Sequence, residues 1–173
     1  MSSDPIGEVF QRLIEEIYWV ETLEEAERIL AEKLRLLDED LREVLLEKRR
    51  VYCKDIQSIS EPIQLQFVAE QEQDEGLKAL LSIRSLISTG YLLQCTPSWQ
   101  EMDPETKAKF LAPLYRASYA FELYVKTGDK KYLVDAEKML NILFERSRKH
   151  GLLKELNSHI EDVLNEYYED MEE

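Results

Sequence analysis

Leu23, Leu30, Leu34, Leu37, Leu41, Val44 and Val51 fall on one seven-residue repeat, interrupted only by Glu27 and Lys48. Repetition at this spacing places side chains along one stripe of an α-helix, whereas a strand alternates every second residue. Leu36, Leu45 and Leu46 lie beside the stripe and widen it. A widened stripe suits a globular helical bundle better than an isolated two-stranded coiled coil. Read as one helix, residues 23–52 span ~45 Å at ~1.5 Å per residue. Thr22 and Glu25 form a capping-box pair at its start.

The rest of the chain repeats this helical signal. Pro5, preceded by Ser3 or Asp4 as cap, opens a segment carrying Ile6, Val9, Phe10, Leu13, Ile14 and Ile17. Residues 55–62 break the pattern, with Ser60 as candidate cap and Pro62 near the next helix start. Residues 63–69 read as helix, because a lone short strand would find no partner. Residues 70–76 contain no apolar side chain and mark a weak point or break near Gly76. Leu77, Leu80, Leu81, Ile83, Leu86 and Ile87 then resume a helix. Thr96-Pro97 and Asp103-Pro104 each pair a cap with proline at a first helical position, predicting a short helix near 97–101 and a longer one from 104. Gly128 suits a left-handed helix terminus, and Asp129 caps the next helix. Gly151 closes that helix, and a last one runs into the acidic end at 161–173. Only five glycines and five prolines occur in 173 residues, too few for a turn-rich β protein. The expected fold is all-α: a single domain over 1–173, an irregular antiparallel bundle of about six or seven helices, with one long helix near 23–52.

Residues 121–140, FELYVKTGDKKYLVDAEKML, form the most legible hairpin. The segment resembles the helix hairpins of (α/α)₆-toroid proteins, in which an aromatic helix, a Thr-Gly-Asp turn and a Tyr-Leu anchor recur. It is also similar to tetratricopeptide repeats, which place Gly-Asp between helices. The resemblance covers about twenty residues in one copy, whereas repeat arrays need several. It implies a helical hairpin and carries no active-site residue over.

Charge limits the function classes. The net charge of −14 repels nucleic acid and anionic membranes at long range. Residues 104–151 carry +4 and 152–173 carry −7, so the basic block suits the chain's own acidic helices or an acidic partner. No apolar run approaches the ~18 residues of a membrane span. Cys53 and Cys95 are too few for a disulfide framework and read as buried small hydrophobes with reduced thiols, in a cytoplasmic protein that opens with no secretory signal.

Candidate chemistry is sparse. Glu155, His159 and Asp162 share one helix face and are candidate metal ligands. Glu24 and Glu27 are candidates on the carboxylate-rich second segment. That segment resembles the metal-binding helix of all-α nucleotide pyrophosphohydrolases, but it carries neither their Glu-Glu-x-x-Glu nor a later Glu-x-x-Asp intact. His150 sits at a helix end, where it caps. There is no phosphate-binding glycine loop and no nucleophile elbow. Tyr115, Tyr119, Phe121 and Tyr124 are too many for one face of one helix, so some are expected to line a groove or meet another element.

The sequence therefore leads to a non-enzymatic helical interaction or scaffold protein that self-associates. Leu30, Leu34, Leu37, Leu41, Val44, Tyr167 and Tyr168 are its candidate contact residues, a second copy of the chain its candidate partner, and no cofactor is expected. The alternatives are a metal-dependent hydrolase on the carboxylate-rich helix and a nucleic-acid accessory protein using the basic 104–151 segment.

Overall fold

The computed structural model describes residues 5–172, and among them every regular element is helical. The α-helices are α1 (Pro5–Trp19), α2 (Leu23–Arg35), α3 (Glu39–Tyr52), α4 (Ile56–Gln71), α5 (Glu75–Leu92), α6 (Pro97–Glu101), α7 (Pro104–Thr127), α8 (Lys130–Lys149) and α9 (Leu152–Glu172). A 3₁₀ turn, Leu93–Cys95, joins α5 to α6. The all-α expectation holds, with more and shorter helices than the sequence suggests.

The largest correction concerns the long repeat. Residues 23–52 form two helices, because Leu36 ends α2 and Asp38 starts α3, accepting the Leu41 amide at 2.8 Å. A carboxylate that bonds a nearby backbone amide offers the chain an alternative to continuing the helix. A second correction lies at 55–62. Asp55 caps α4 and accepts from the Gln57 amide and the Ser58 hydroxyl, so Pro62 falls inside that helix instead of starting one. The break near Gly76 is present: α4 ends at Gln71 and Asp74 caps α5 through the Gly76 and Leu77 amides. Thr22 accepts the Glu25 amide, which is one half of the expected capping box. The caps at Ser3 and Asp4 lie outside the described residues.

The chain gathers into two compact units. The first takes in the chain up to Leu36 together with Asp103–Leu143. Its core joins Ile17, Ala26, Leu30, Ala31, Ala108 and Ala112, with Leu13, Leu23, Leu34, Leu111 and Tyr115 packed around them. The alanines of this core on α2 and α7 let the two backbones approach closely, and helix spacing depends on the side chains at the contact. Arg116 donates to the Thr22 carbonyl at 3.2 Å and Arg35 pairs with Glu105, so α2 and α7 run antiparallel. Gly128 adopts φ +72°, and its amide bonds the Tyr124 carbonyl at 2.7 Å. Asp129 then accepts the Lys131 amide, completing the hairpin expected from the Thr-Gly-Asp turn.

The second unit takes in Leu37–Met102 and Phe144–Glu173. Within it, α4 and α5 form an antiparallel hairpin, and the buried Ser85 hydroxyl donates to the Pro62 carbonyl at 2.7 Å. Ile59, Ala69, Ile83, Leu92, Leu93, Trp99, Leu152 and Leu156 are among its buried apolar side chains. α3 stands apart, because none of its residues is buried.

Candidate functional site

A cleft of the second unit is built where α3 ends. α4 and α5 contain 16 and 18 residues. Rods of nearly equal length, folded back on each other, return the chain to its starting point. Cys95 therefore arrives beside Cys53 across 42 residues, with Cα atoms 5.4 Å apart, and the two form a disulfide. This corrects the expectation of two separate, reduced, buried thiols. The Cα spacing lies within the range a disulfide spans without backbone movement.

Around the disulfide lies a cleft of about 700 Å³. α3 lines it with Leu46, Arg49 and Arg50, and Cys53 and Lys54 follow. The 3₁₀ turn and α6 contribute Cys95, Pro97 and Gln100, and α9 contributes Glu155, Ser158, His159 and Asp162. The three residues that sequence reasoning placed on one face of the last helix thus do meet at one cleft. Their polar partners are specific. His159 Nε2 lies 2.7 Å from the Cys53 carbonyl oxygen, which can only accept, so this nitrogen carries the hydrogen. Glu155 Oε1 accepts the Ser98 amide at 2.8 Å and caps α6, whose own Thr96 side chain turns back to the Leu93 carbonyl instead. Arg49 Nη1 donates to the Gln94 carbonyl at 3.2 Å, and burial lowers the pKa of its guanidinium. Tyr52, on the same last turn of α3, has its phenol pushed up to about 12, first by burial and then by Glu61, Tyr91 and Asp55.

The remaining candidates are scattered. Glu24 and Glu27 lie on α2 in the first unit. No group of three or more His, Cys, Asp or Glu side chains among the described residues is arranged to hold a metal ion. Leu30 is 1% exposed and Leu34 packs on the same core, so both belong to the interior of the first unit. Leu37 and Leu41 are half-buried in the second unit, and Val44 is exposed. The expected contact stripe is thereby divided between a core and a surface. Tyr167 and Tyr168 are exposed near the end of α9, their rings 5.7 Å apart and edge to face.

The aromatics of α7 also separate. Tyr115 packs on the core of the first unit, while Tyr119 joins Tyr18 and Trp19 in a three-ring cluster. Tyr18 donates to Asp135 Oδ2 at 3.1 Å, and burial, followed by this bond, raises its pKa.

Comparison of the chain with family models, with curated proteins and with solved structures returns no match. Among the described residues no helix is long and apolar enough to cross a membrane.

Proposed function

We propose that the chain is a non-enzymatic interaction protein that pairs with a second copy of itself through α3. The observation that carries this reading is the contrast between what α3 contains and what it buries. It holds Leu41, Val44, Leu45, Leu46 and Val51, yet none is buried, and Val44 and Val51 are 42% and 62% exposed. On α4, in the same unit, Ile63, Phe67 and Val68 are exposed as well. Exposed apolar surface, where it is contiguous, marks association sites.

Charge argues for a second copy as the occupant. Glu39, Asp40 and Glu43 dominate the first part of α3, and Lys48, Arg49 and Arg50 its end. Two such helices laid antiparallel about a two-fold axis bring the acidic start of one opposite the basic end of the other. The self-complementary surface that a symmetric dimer requires is therefore contained in one helix.

Sedimentation velocity tests the assignment. Val44→Lys with Val51→Lys should convert a dimer to a monomer while leaving the helical circular dichroism unchanged. An unaltered dimer in the double variant would remove α3 from the interface, and a wild-type monomer at every concentration would remove self-association.

A further inference from the structure

We propose that the ring cluster of the first unit, with Trp19 as its exposed member, is a docking surface for an arginine-bearing segment of a partner protein. Trp19 ends α1 and is 62% exposed, whereas its neighbour Tyr18 is 8% exposed. The Trp19 ring stands at 82° to the Tyr18 ring and at 79° to the Tyr119 ring, with centroids 4.9 and 6.3 Å apart. Neither tyrosine is therefore stacked flat on the indole. An indole face is the best aromatic acceptor for a cation, and the planar, weakly hydrated guanidinium of arginine suits it better than an ammonium does.

The base beside Trp19 is held in place. The Tyr18 hydroxyl donates to Asp135 at 3.1 Å, and its ring lies 5.0 Å from that of Tyr119 on α7. A large aromatic on a fixed base is the kind of side chain that carries binding energy at protein interfaces, and arginine is enriched there with it.

Charge names the occupant. On the exposed side of α1 that carries Trp19, Glu8, Glu15 and Glu16 outnumber Arg12. Glu15 and Glu16 stand four and three residues before Trp19, within side-chain reach of it on the helix. Neither makes an ion pair among the described residues. The charges on the neighbouring helices are engaged: Arg116 donates to the Thr22 carbonyl, Glu122 pairs with Lys126, and Asp135 accepts from Tyr18. The carboxylates left to meet an incoming cation are those of α1. None of these residues belongs to α3, so the assignment is independent of self-association.

The test titrates the purified full chain with two capped peptides of equal charge, one alternating arginine with glycine and one alternating lysine with glycine. The chain has two tryptophans and Trp99 is 6% exposed, so a change in indole emission reports Trp19. The net charge of −14 attracts both peptides alike. The ring surface should add a preference of about 5-fold in Kd for the arginine peptide, the scale of one cation–π contact. Trp19→Leu leaves every charge in place and should erase that preference. Glu15→Gln with Glu16→Gln should weaken the arginine peptide by about 3-fold, whereas Glu169→Gln with Asp170→Asn, which removes the same charge from the end of α9, should change it much less. The comparison of the two peptides needs only the wild-type chain, so it decides the matter even where a variant folds poorly. Equal affinities for the two peptides, a preference that survives in Trp19→Leu, or the absence of saturable binding would overturn the proposal. Shielding of Trp19 from acrylamide that grows with protein concentration alone would overturn it too, by seating a second copy there.

Discussion

His159 on α9 donates from Nε2 to the carbonyl of Cys53, 106 residues earlier, at 2.7 Å. That carbonyl belongs to the residue that ends α3, where backbone oxygens lack partners within the helix. The same residue carries the disulfide to Cys95. Arg49, in the last turn of α3, reaches the Gln94 carbonyl. In the earlier turns of α3 Val44 and Leu46 are exposed, while Leu41 and Leu45 are half-buried.

Removing this bond should loosen the end of α3. We expect His159→Leu to lower stability by about 1 kcal/mol, the net worth of one hydrogen bond, and to speed amide exchange in the last turn of α3. His159→Gln, which retains a donor, should recover part of the loss. Urea unfolding with hydrogen-exchange mass spectrometry checks both; equal protection in His159→Leu would show that the bond contributes nothing.

The repeat that begins at Leu23 should behave as two different surfaces. Leu30 is enclosed by Ile17, Ala26, Ala108 and Ala112, so Leu30→Ala leaves a cavity and should cost about 2–5 kcal/mol. Val44 is exposed, and Val44→Ala should change the stability of the dilute chain by no more than about 0.5 kcal/mol. Chemical denaturation of the two variants separates the cases, and similar losses at both positions would contradict the division at Leu36–Asp38.

Alkaline pH should weaken the fold in a way that depends on Tyr52. Its phenol titrates near 10.0 when unfolded and near 12 when folded, so the folded state favours the neutral form. The stabilisation is complete below pH 10, declines as the unfolded phenol ionises, and is lost as pH rises through 12. Tyr18 acts in the same direction. Urea midpoints measured on either side of the unfolded phenol's titration should fall less in Tyr52→Phe than in the wild type. An identical fall would assign the alkaline loss to other groups.

Much of this architecture is legible from local chemistry. Asp103-Pro104, Thr22 with Glu25, and Gly128-Asp129 each satisfy orphan amides or carbonyls within a few residues, and the structure uses them as the sequence suggests. The division of the long repeat is harder to read. Asp38 competes with an apolar pattern that continues in register on both sides of it, and periodicity alone does not reveal which signal prevails. The disulfide is hidden for a different reason. It depends on two helices of nearly equal length between Cys53 and Cys95, visible only once Asp55 is recognised as the cap of α4 and Pro62 as an interior residue. The shared face of Glu155, His159 and Asp162 is legible from spacing. The Ser98 amide and the Cys53 carbonyl that engage two of them come from distant parts of the chain.

Pairing of two copies through α3 is the central claim, and native mass spectrometry of the untagged wild-type chain tests it most directly. The account predicts a species at twice the 20.4 kDa of one chain, growing with concentration and carrying no added ligand mass. A species of one chain's mass at every concentration would contradict it.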